Sequence, residues 1–431
     1  MNKQGITLFW FRRDLRLEDN VGLFHALESK NQVIPLFIFD DAILDNLPVN
    51  DARVGFIYDS LYKINQQLLE IGSSLLIKKG KTEDVWKQLI QDFDVKEVYF
   101  NKDYEPYAIA RDSAVCELLK ANEIACFSYK DQVIFEEKEI TKSDGLPYTV
   151  YTPYKNKWLE KYNSFRPVQE YNCEKLFSNF HKNSFDFPTL QQIGFEESTI
   201  KVIPHNLKKV LHYHETRDFP ALDATSYLSP HLRFGTVSIR KLVNWAANKN
   251  QVFLSELIWR EFFMQILFSF PKVVSNNFKS AYDGIQWRND EEDFKRWCSG
   301  TTGYPMVDAG MRQLNETGYM HNRVRMVVAS FLCKHLLINW QWGEAYFAEK
   351  LLDFELSSNV GNWQWAAGTG CDAAPYFRVF NPEIQLKKFD EKGIYIRKWI
   401  PEFDLGYGEP IVEHAFARDR AIATYKAGIL K

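Results

Sequence analysis

Residues 352–382 concentrate side chains that could hold a flat ring with polar edges. Two acids open the stretch, an amide follows, and two tryptophans stand one residue apart: Asp353, Glu355, Asn359, Trp363 and Trp365. A run of small residues at 366–370 would let such a ring approach the backbone closely. The acids and the amide would hydrogen-bond its polar edge, because buried polar groups need partners. Each tryptophan alone is more often simple core packing, but the combination predicts a cofactor site.

The motif NVGNWQWAAGTGCDAAPYFR, which begins at Asn359, resembles the flavin-binding core of the photolyase/cryptochrome family. The FRRDLRLEDN motif at 11–20 resembles the family's amino-terminal motif. The resemblance extends over nearly the whole chain and is closest to class I photolyases, which repair cyclobutane pyrimidine dimers in DNA. It implies that FAD is the cofactor. It also implies that excited, fully reduced flavin passes one electron to the dimer, which splits and returns the electron.

The family's flavin contacts match positions on both sides of this core. Hydroxyls near Thr225 suit a pyrophosphate at a helix start, although taken alone they could be an ordinary hydroxyl-rich helix cap. By resemblance, the FAD contacts are Tyr213, Thr225, Ser226, Leu228, Ser229, Arg260, Arg325, Asp353, Glu355 and Asn359. Asn359 is expected to face the reactive nitrogen of the flavin. Many members have Asp where this chain has Glu355, so this contact is one methylene longer.

The segment SELIWREFF places Glu256 and Trp259 on one helical face. Inside an apolar helix these side chains are costly unless they are partnered or face a cavity. An ion pair of Glu256 with Arg260 or Arg312 is the alternative to a functional role. The resemblance implies that Glu256 bonds the edge of the damaged base and that Trp259 packs against it. The predicted catalytic residues are Glu256, Trp259, Met326 and Asn359, and the predicted DNA contacts are Arg217, Glu256, Trp259, Asn322, Arg323, Met326 and Trp365.

The segment YMHNRVRM holds two arginines two residues apart, which point in different directions on a helix. We expect Arg323 to meet DNA phosphate and Arg325 to pair with Asp353, although a solvated basic helix end is the alternative. Family members that act on the (6-4) photoproduct usually carry a histidine pair here. This chain has only His321, which favours the cyclobutane dimer as substrate.

Three tryptophans match the family's electron-hopping chain through their flanks IQW, LLINW and NWQWAA: Trp287, Trp340 and Trp363. Each could otherwise be core packing. By resemblance, electrons would pass inward to the flavin in that order.

The elements that must position these residues fall into three segments. We predict an α/β Rossmann-like domain with a parallel sheet over 1–131, a long connector over 132–205, and an all-α FAD-binding domain over 206–431. The predicted strands are Ile6–Phe11, Val33–Asp40, Ser74–Lys78, Glu97–Asn101 and Ile124–Tyr129, and helices are predicted at Asp51–Ile71, Thr82–Phe93, Ile109–Ala121 and near Tyr154–Tyr162. Strands that alternate with helices indicate a parallel sheet. No glycine-rich turn follows the first strand, which disfavours a nicotinamide dehydrogenase. Residues 254–270 and 321–340 are apolar nearly all round and predict buried helices.

The bulk composition narrows the class of protein. A chain of 431 residues with 45% apolar and 25% charged residues is typical of a two-domain globular protein. The net charge of -3 means that a DNA-binding face must concentrate its basic residues. The sequence has no apolar run of about 18 residues and no signal-peptide pattern. Six cysteines without a C-x-x-C pair favour free thiols in a reducing cytoplasm and predict no metal site. We expect a cytoplasmic monomer without a membrane association or an obligate protein partner.

Two pairs of residues bear on the identity of a light-harvesting chromophore. Folate-binding members carry an Asn-Glu pair where this chain has Tyr107-Ala108, and a Cys-Lys pair where it has Val274-Ser275. A second antenna chromophore is therefore expected to be a deazaflavin or a flavin rather than folate, or to be absent.

The alternative function is a cryptochrome-type blue-light receptor, and a third is a dark electron-transfer flavoprotein. The retained Glu256 and Trp259, Asn359 in place of Asp or Cys, and the lack of a carboxy-terminal extension favour repair.

Overall fold

The structure, a computed structural model, describes residues 5–429, so the ends of the predicted domains at 1–4 and 430–431 lie outside the described residues. The chain forms two compact units. The sheet unit contains residues 5–139, 159–204 and 228–248, and the helical unit contains 140–158, 205–227 and 249–429. This division differs from the predicted boundaries at 132 and 206, because residues 140–158 of the connector group with the helical unit, whereas residues 228–248 group with the sheet unit.

The sheet unit contains a five-stranded parallel sheet in the order β3-β2-β1-β4-β5. Its strands are β1 (Ile6–Phe11), β2 (Gln32–Asp40), β3 (Leu76–Gly80), β4 (Val95–Asn101) and β5 (Ala125–Tyr129). All six residues of β1 are buried, as expected for a central strand covered on both faces. The predicted Rossmann-like parallel sheet is confirmed, with strand ends within two residues of the predicted ones.

Helices of the sheet unit follow the strands along the chain. They are α1 (Val21–Leu27), α2 (Asp41–Leu44), α3 (Ala52–Glu70), α4 (Thr82–Asp92) and α5 (Pro106–Ala121). The next helix, α6 (Tyr151–Phe165), begins in the helical unit and ends in the sheet unit, and α7 (Tyr213–Thr216) belongs to the helical unit. The last helices of the sheet unit are α8 (Leu228–Arg233) and α9 (Ile239–Lys249). Arg240 on α9 forms ion pairs with Asp19 at 3.0 Å and Asp131 at 2.8 Å, and all three side chains are buried. This network explains why α9 packs with the sheet.

Two cysteines of the sheet unit are paired, contrary to the expectation of free thiols. Cys116 on α5 and Cys126 on β5 form a disulfide across neighbouring elements. Their separation of ten residues along the chain did not suggest a pair. The helix folds back along the edge strand, and only that return brings the two side chains together.

The helical unit contains nine further α-helices within the described residues. They are α10 (Gln251–Ser269), α11 (Glu291–Ser299), α12 (Pro305–Thr317), α13 (Asn322–Ser330), α14 (Trp340–Lys350), α15 (Leu356–Ala367), α16 (Pro382–Phe389), α17 (Ile394–Trp399) and α18 (His414–Gly428). The buried helix predicted at 321–340 is interrupted: α13 runs into a π-helical turn at Phe331–His335, and Leu337 has a positive φ of 52°. The apolar composition of this segment predicted that it is buried, but it did not predict where the helix is interrupted. No helix within residues 5–429 is long and apolar enough to cross a membrane.

Candidate functional site

A cavity that is partly open to solvent lies in the helical unit, where α13, α14 and α15 pack together. Its lining includes these residues from the sequence analysis: Asn322, Arg325, Met326, Asp353, Glu355, Asn359, Trp363 and Trp365. Phe347 and Ala366 complete part of its apolar wall. Residues expected to touch a cofactor and residues expected to touch a lesion therefore share one space.

Glu355 caps the helix that carries most of this lining. Its carboxylate accepts hydrogen bonds from the Ser358 amide at 2.9 Å and the Ser357 hydroxyl at 2.6 Å, at the start of α15. A carboxylate at this end satisfies free N–H groups and interacts favourably with the helix dipole. The residue was predicted as a cofactor contact, and the structure adds a capping role that the sequence comparison did not indicate.

Asp353 and Arg325 form an ion pair at the cavity wall, as expected. The Arg325 guanidinium donates to both carboxylate oxygens, at 2.9 and 3.2 Å, and its Nε donates to the Met320 carbonyl. The pair therefore presents a guanidinium group, with its hydrogen-bond donors, and a carboxylate to the cavity. Because Nε and Nη2 each have a partner, the orientation of the guanidinium plane is fixed.

Arg323, the other arginine of this helix, does not stand free for a phosphate. Its guanidinium pairs with Asp218 at 2.7 Å and lies 4.4 Å from the ring of Phe389. Its side chain is mostly buried. A role for Arg323 at DNA stays a prediction, and it requires the ion pair with Asp218 to open or to share its charge.

The amide of Asn359 is oriented by Glu344. Its Nδ2 donates to the Glu344 backbone carbonyl at 3.0 Å and to the Glu344 carboxylate at 2.8 Å. Burial raises the pKa of Glu344, although the bond from Asn359 opposes this shift. Both amide hydrogens are therefore used, and the amide carbonyl is the group of Asn359 left to accept a hydrogen bond from a ring in the cavity.

The three predicted electron-transfer tryptophans lie in different environments. Trp363 is almost fully buried, edge-on to Phe347 at 4.9 Å. Its ring lies against Gly343 on α14 so closely that an added Cβ would come within 2.1 Å. Trp340 begins the same helix and donates from its indole to Asn277 at 2.9 Å. Trp287 is edge-on to Tyr425 at 5.7 Å. The structure thus packs Trp363 onto the helix that begins with Trp340.

Trp297 was not singled out in the sequence. It is fully buried, and its ring lies 6.1 Å from that of Trp363. Its indole donates to the Val328 carbonyl. No motif around Trp297 marks it, so only the packing reveals this neighbour.

A second group of predicted residues lies on α10, outside the cavity lining. Glu256 forms an ion pair with Arg217 at 2.6 Å, not with Arg260 or Arg312 as the alternative interpretation had it. Burial raises the pKa of Glu256, and Arg217 opposes the shift. Trp259 is partly buried and stacks on Tyr151. Arg260 follows it on the same helix and is also partly buried.

Tyr151 is a residue that the sequence analysis placed in the connector. It stacks on Trp259 with ring centroids 3.6 Å apart and an angle of 9° between the planes. The PYTVYTPY run was the available signal, because its aromatic residues are too dense for an ordinary linker. The segment 140–158 belongs to the helical unit, so this part of the connector is part of the site.

The predicted phosphate-binding segment is divided between the two units. Thr225 is exposed and Ser226 accepts a backbone hydrogen bond from Asn206 at 2.9 Å, both in the helical unit. Leu228 and Ser229 begin α8 in the sheet unit. Tyr213 packs edge-on against Phe253 at 5.6 Å, within the helical unit. Their role at a pyrophosphate stays a prediction.

Two family models match the chain. The model described as the FAD binding domain of DNA photolyase matches residues 253–405, and the model described as DNA photolyase matches residues 7–173. A curated deoxyribodipyrimidine photo-lyase from Agrobacterium fabrum is 36% identical, over 99% of this chain and 98% of the relative.

Three solved structures share this architecture. A bacterial class III photolyase from Agrobacterium tumefaciens has a TM-score of 0.88 at 35% identity and covers 99% of this chain and 98% of its own. An archaeal photolyase from Sulfolobus tokodaii, solved with two FAD molecules, has a TM-score of 0.84 at 34% identity, with coverages of 98% and 100%. A cryptochrome from Synechocystis has a TM-score of 0.85 at 25% identity, with the same coverages.

Proposed function

The chain belongs to the DNA photolyase family, and from this premise we propose that it repairs cyclobutane pyrimidine dimers in DNA under blue light. The observation that carries the proposal is the shared cavity. Its lining joins Asn359 and Asp353, expected at the flavin, with Asn322 and Met326, expected at the dimer. A cofactor and a lesion bound there would be neighbours, as direct electron transfer between them requires.

The side chains around the cavity suit FAD. Asn359 offers a carbonyl acceptor, the Arg325–Asp353 pair offers donors and a carboxylate, and Trp363 supplies a flat apolar wall. When bound there, FAD supplies the light-driven electron donor, while the protein supplies position and electrostatics.

The residues on α10 would receive the damaged bases. Enzymes of this kind take their target bases out of the stack before acting on them. Glu256, fixed by Arg217, would accept a hydrogen bond from the edge of a base, and Trp259 would pack against the dimer. The charge of Arg217 lies beside the same carboxylate, so it would also be near the incoming DNA backbone.

The test uses the chemically reduced holoenzyme and an oligonucleotide that carries one cyclobutane thymine dimer. Blue light should restore intact thymines, whereas darkness should not. A matched oligonucleotide with a (6-4) photoproduct should remain unchanged. An enzyme that holds reduced FAD but leaves the dimer intact would contradict repair and favour the photoreceptor alternative. The class I assignment stays a prediction, since one similar structure is a class III photolyase.

For the antenna, we propose a flavin or a deazaflavin rather than folate. Tyr107 donates to Asp40 at 2.6 Å and Ala108 is buried, so this position offers no amide and carboxylate pair to a folate. The similar structure from Sulfolobus tokodaii contains two FAD molecules. Mass spectrometry of the extracted chromophores decides the point, and stoichiometric folate from a folate-replete host would contradict it.

We also propose that the chain acts as a cytoplasmic monomer without an obligate protein partner. Light scattering of the holoenzyme with and without dimer-containing DNA should give the mass of one chain per lesion. A stable dimer that is required for repair would contradict this.

A further inference from the structure

Tyr151 covers one face of the Trp259 indole in full contact. The ring centroids are 3.6 Å apart and the planes are nearly parallel, at 9°. Other neighbours are less closely apposed: Phe263 lies at 5.4 Å and 30°, and Phe262 lies edge-on at 5.6 Å. Trp259 keeps an accessible part, whereas Tyr151 is only 7% exposed. The tyrosine is therefore a backing surface for the tryptophan.

Three hydrogen bonds attach this turn of α6 to its surroundings. The Tyr151 hydroxyl donates to the Ser255 carbonyl at 2.7 Å, one helical turn before Trp259 on α10. Lys155, one turn further along α6, donates to the Ser255 hydroxyl at 2.7 Å. The Tyr151 ring thus spans a single turn of α10, with its plane on Trp259 and its hydroxyl at Ser255.

The third bond joins the start of α6 to the loop after α15. The Tyr151 amide donates to the Asp372 carboxylate at 3.0 Å. The first amides of a helix have no partner within the helix, and a carboxylate there also interacts favourably with the helix dipole. Asp372 therefore caps α6 from a distance. This bond fixes the position of Tyr151 relative to the loop that follows Trp365.

Tyr151 also lies in the electrostatic field of the predicted lesion-binding acid. Burial, and secondly the Glu256 carboxylate, raise the pKa of the Tyr151 hydroxyl. The hydroxyl therefore stays protonated and keeps its bond to Ser255. Trp259 stacks on this side chain, and the charge of Glu256, three residues earlier on α10, acts on its hydroxyl.

We propose that Tyr151 is a positioning residue of the lesion site, which braces Trp259 in the orientation that receives the damaged bases. This inference rests on the proposed repair of dimers. It does not require Tyr151 to touch DNA or FAD. Tyr151 would contribute by holding the indole in the orientation that binds the dimer. Its substitution should therefore lower the affinity for damaged DNA and leave the repair yield of the bound complex unchanged.

The experiment compares wild-type holoenzyme with Y151F and Y151L. The probe is an oligonucleotide with one cyclobutane thymine dimer and its undamaged counterpart. An aromatic stacking contact of this kind corresponds to roughly three- to tenfold in affinity. Y151L should raise the Kd for the dimer by that factor and leave the Kd for undamaged DNA and the FAD content unchanged. Y151F keeps the ring and should restore most of the affinity.

A second readout separates positioning from general damage to the fold. At saturating DNA, the dimers split per absorbed photon should match wild type in Y151L, because only binding is affected. Y162L is the matched control: Tyr162 lies on the same helix, is 3% exposed and packs edge-on to Phe165. Y162L should lower thermal stability without changing discrimination between damaged and undamaged DNA.

Several results would overturn the role of Tyr151. They are an unchanged Kd in Y151L, an equal loss for both DNAs, or the same loss in Y162L. Tighter dimer binding by Y151L would show that Tyr151 occupies a face that the lesion needs. If Y151L does not retain FAD, Y151M, which also removes the ring, replaces it, and wild-type affinity there has the same meaning as in Y151L. A wild-type enzyme that does not prefer the dimer would instead refute the proposed function.

Discussion

At the scale of residues, the polar side chains of the site are hydrogen-bonded or ion-paired to one another. Each pair leaves one polar group that can bind a ligand. Glu344 uses both amide hydrogens of Asn359, which leaves the Asn359 carbonyl. Arg217 pairs with Glu256 at 2.6 Å, and its charge opposes the rise that burial causes in the pKa of this carboxyl. Buried polar groups without partners are costly. The pairs therefore both stabilise the site and fix what it presents to a ligand.

Substitution of Glu256 by alanine should impair lesion binding more than flavin binding. A hydrogen bond to a charged group contributes about 1.5–3 kcal/mol, so dimer affinity or repair should fall roughly ten- to hundredfold. Measured FAD content should stay near wild type. The matched control is E402A, which removes a partner of Arg312 from an ion pair of equal length, 2.6 Å, outside the cavity lining. Loss of FAD with unchanged dimer affinity would place Glu256 on the flavin side.

Replacement of Trp363 by phenylalanine should separate photoreduction from repair. Phenylalanine keeps much of the apolar volume, so the buried site should tolerate it with a modest loss of stability. The oxidisable indole is removed, and the proposed inward path from Trp287 and Trp340 loses its last member. Bleaching of oxidised flavin under blue light should slow greatly, while dimer splitting by dithionite-reduced enzyme should be near normal.

The two measurements on W363F can each contradict this role. Photoreduction at the wild-type rate would remove Trp363 from the path, and the neighbouring Trp297, 6.1 Å away, would become the alternative. Loss of repair in the pre-reduced variant would show that the residue acts in packing. W86F, at a fully buried tryptophan of the sheet unit, is the matched control for loss of a buried indole.

At the scale of elements, the helix α15 is held at both ends by side chains. Glu355 caps its start, and Lys334, from the π-helical turn, donates to the Ala367 carbonyl at its end, at 2.7 Å. The ammonium group also lies 3.5 Å from the ring of Tyr425. A cation at a helix carboxyl end is favourable, but burial lowers the pKa of Lys334 to about 7.

This lysine predicts a stability that depends on pH. Its ordinary pKa is 10.5, so between about 7 and 10 the unfolded chain binds more protons than the folded one. Folding stability must then rise with pH in this window. In K334M this contribution is absent. The free energy of unfolding of wild type relative to K334M should therefore increase from pH 7 to pH 9, as measured by urea denaturation.

K350M, at a partly exposed lysine of α14, is the matched control for removal of a lysine charge. A difference between wild type and K334M that does not change from pH 7 to pH 9 would mean that Lys334 titrates in the folded protein as it does in the unfolded chain. Each variant retains all thiols and tyrosines of the wild type. Their ionisation therefore cancels when the free energies of unfolding are subtracted.

At the scale of the whole molecule, a net charge of -3 has to be reconciled with binding to DNA. Arg323 is engaged with Asp218, so it is a weaker candidate than expected. Arg378, Lys387 and Lys388 are exposed in the helical unit. We therefore attribute the predicted phosphate contacts to these side chains.

Binding to dimer-containing duplex should weaken as salt increases. Each neutralised phosphate contributes about −0.9 to the slope of log affinity against log salt. Replacing both Lys387 and Lys388 by alanine should make the slope shallower by roughly 2, with little change in the preference for the dimer. Alanine at the exposed Lys30 and Lys63 of the sheet unit is the control. A flat response in wild type would refute a basic DNA-binding face.

The sequence by itself determined the class of the fold and named eight of the residues that line the cavity. The motif from Asn359 identified the helix that lines the cavity, and β1 runs from Ile6 to Phe11 as predicted. Both are local properties, since a buried strand needs a short apolar run and a cofactor site needs particular side chains. Local signals failed where ends depend on geometry. Thr82 has a hydroxyl suited to a helix cap, but the cap position of α4 is Lys81 and no side-chain hydrogen bond fills it.

The tertiary structure decided which side chains meet. Asn359 and Glu344 are 15 residues apart, Arg217 and Glu256 are 39 apart, and no spacing rule joins them. The Tyr151–Trp259 stack requires the connector to return to α10. Such pairs depend on how helices pack, and packing satisfies buried polar and aromatic groups only after distant segments are brought together. The sequence could therefore name the parts of the site, but the partners and orientations of these parts follow from the fold.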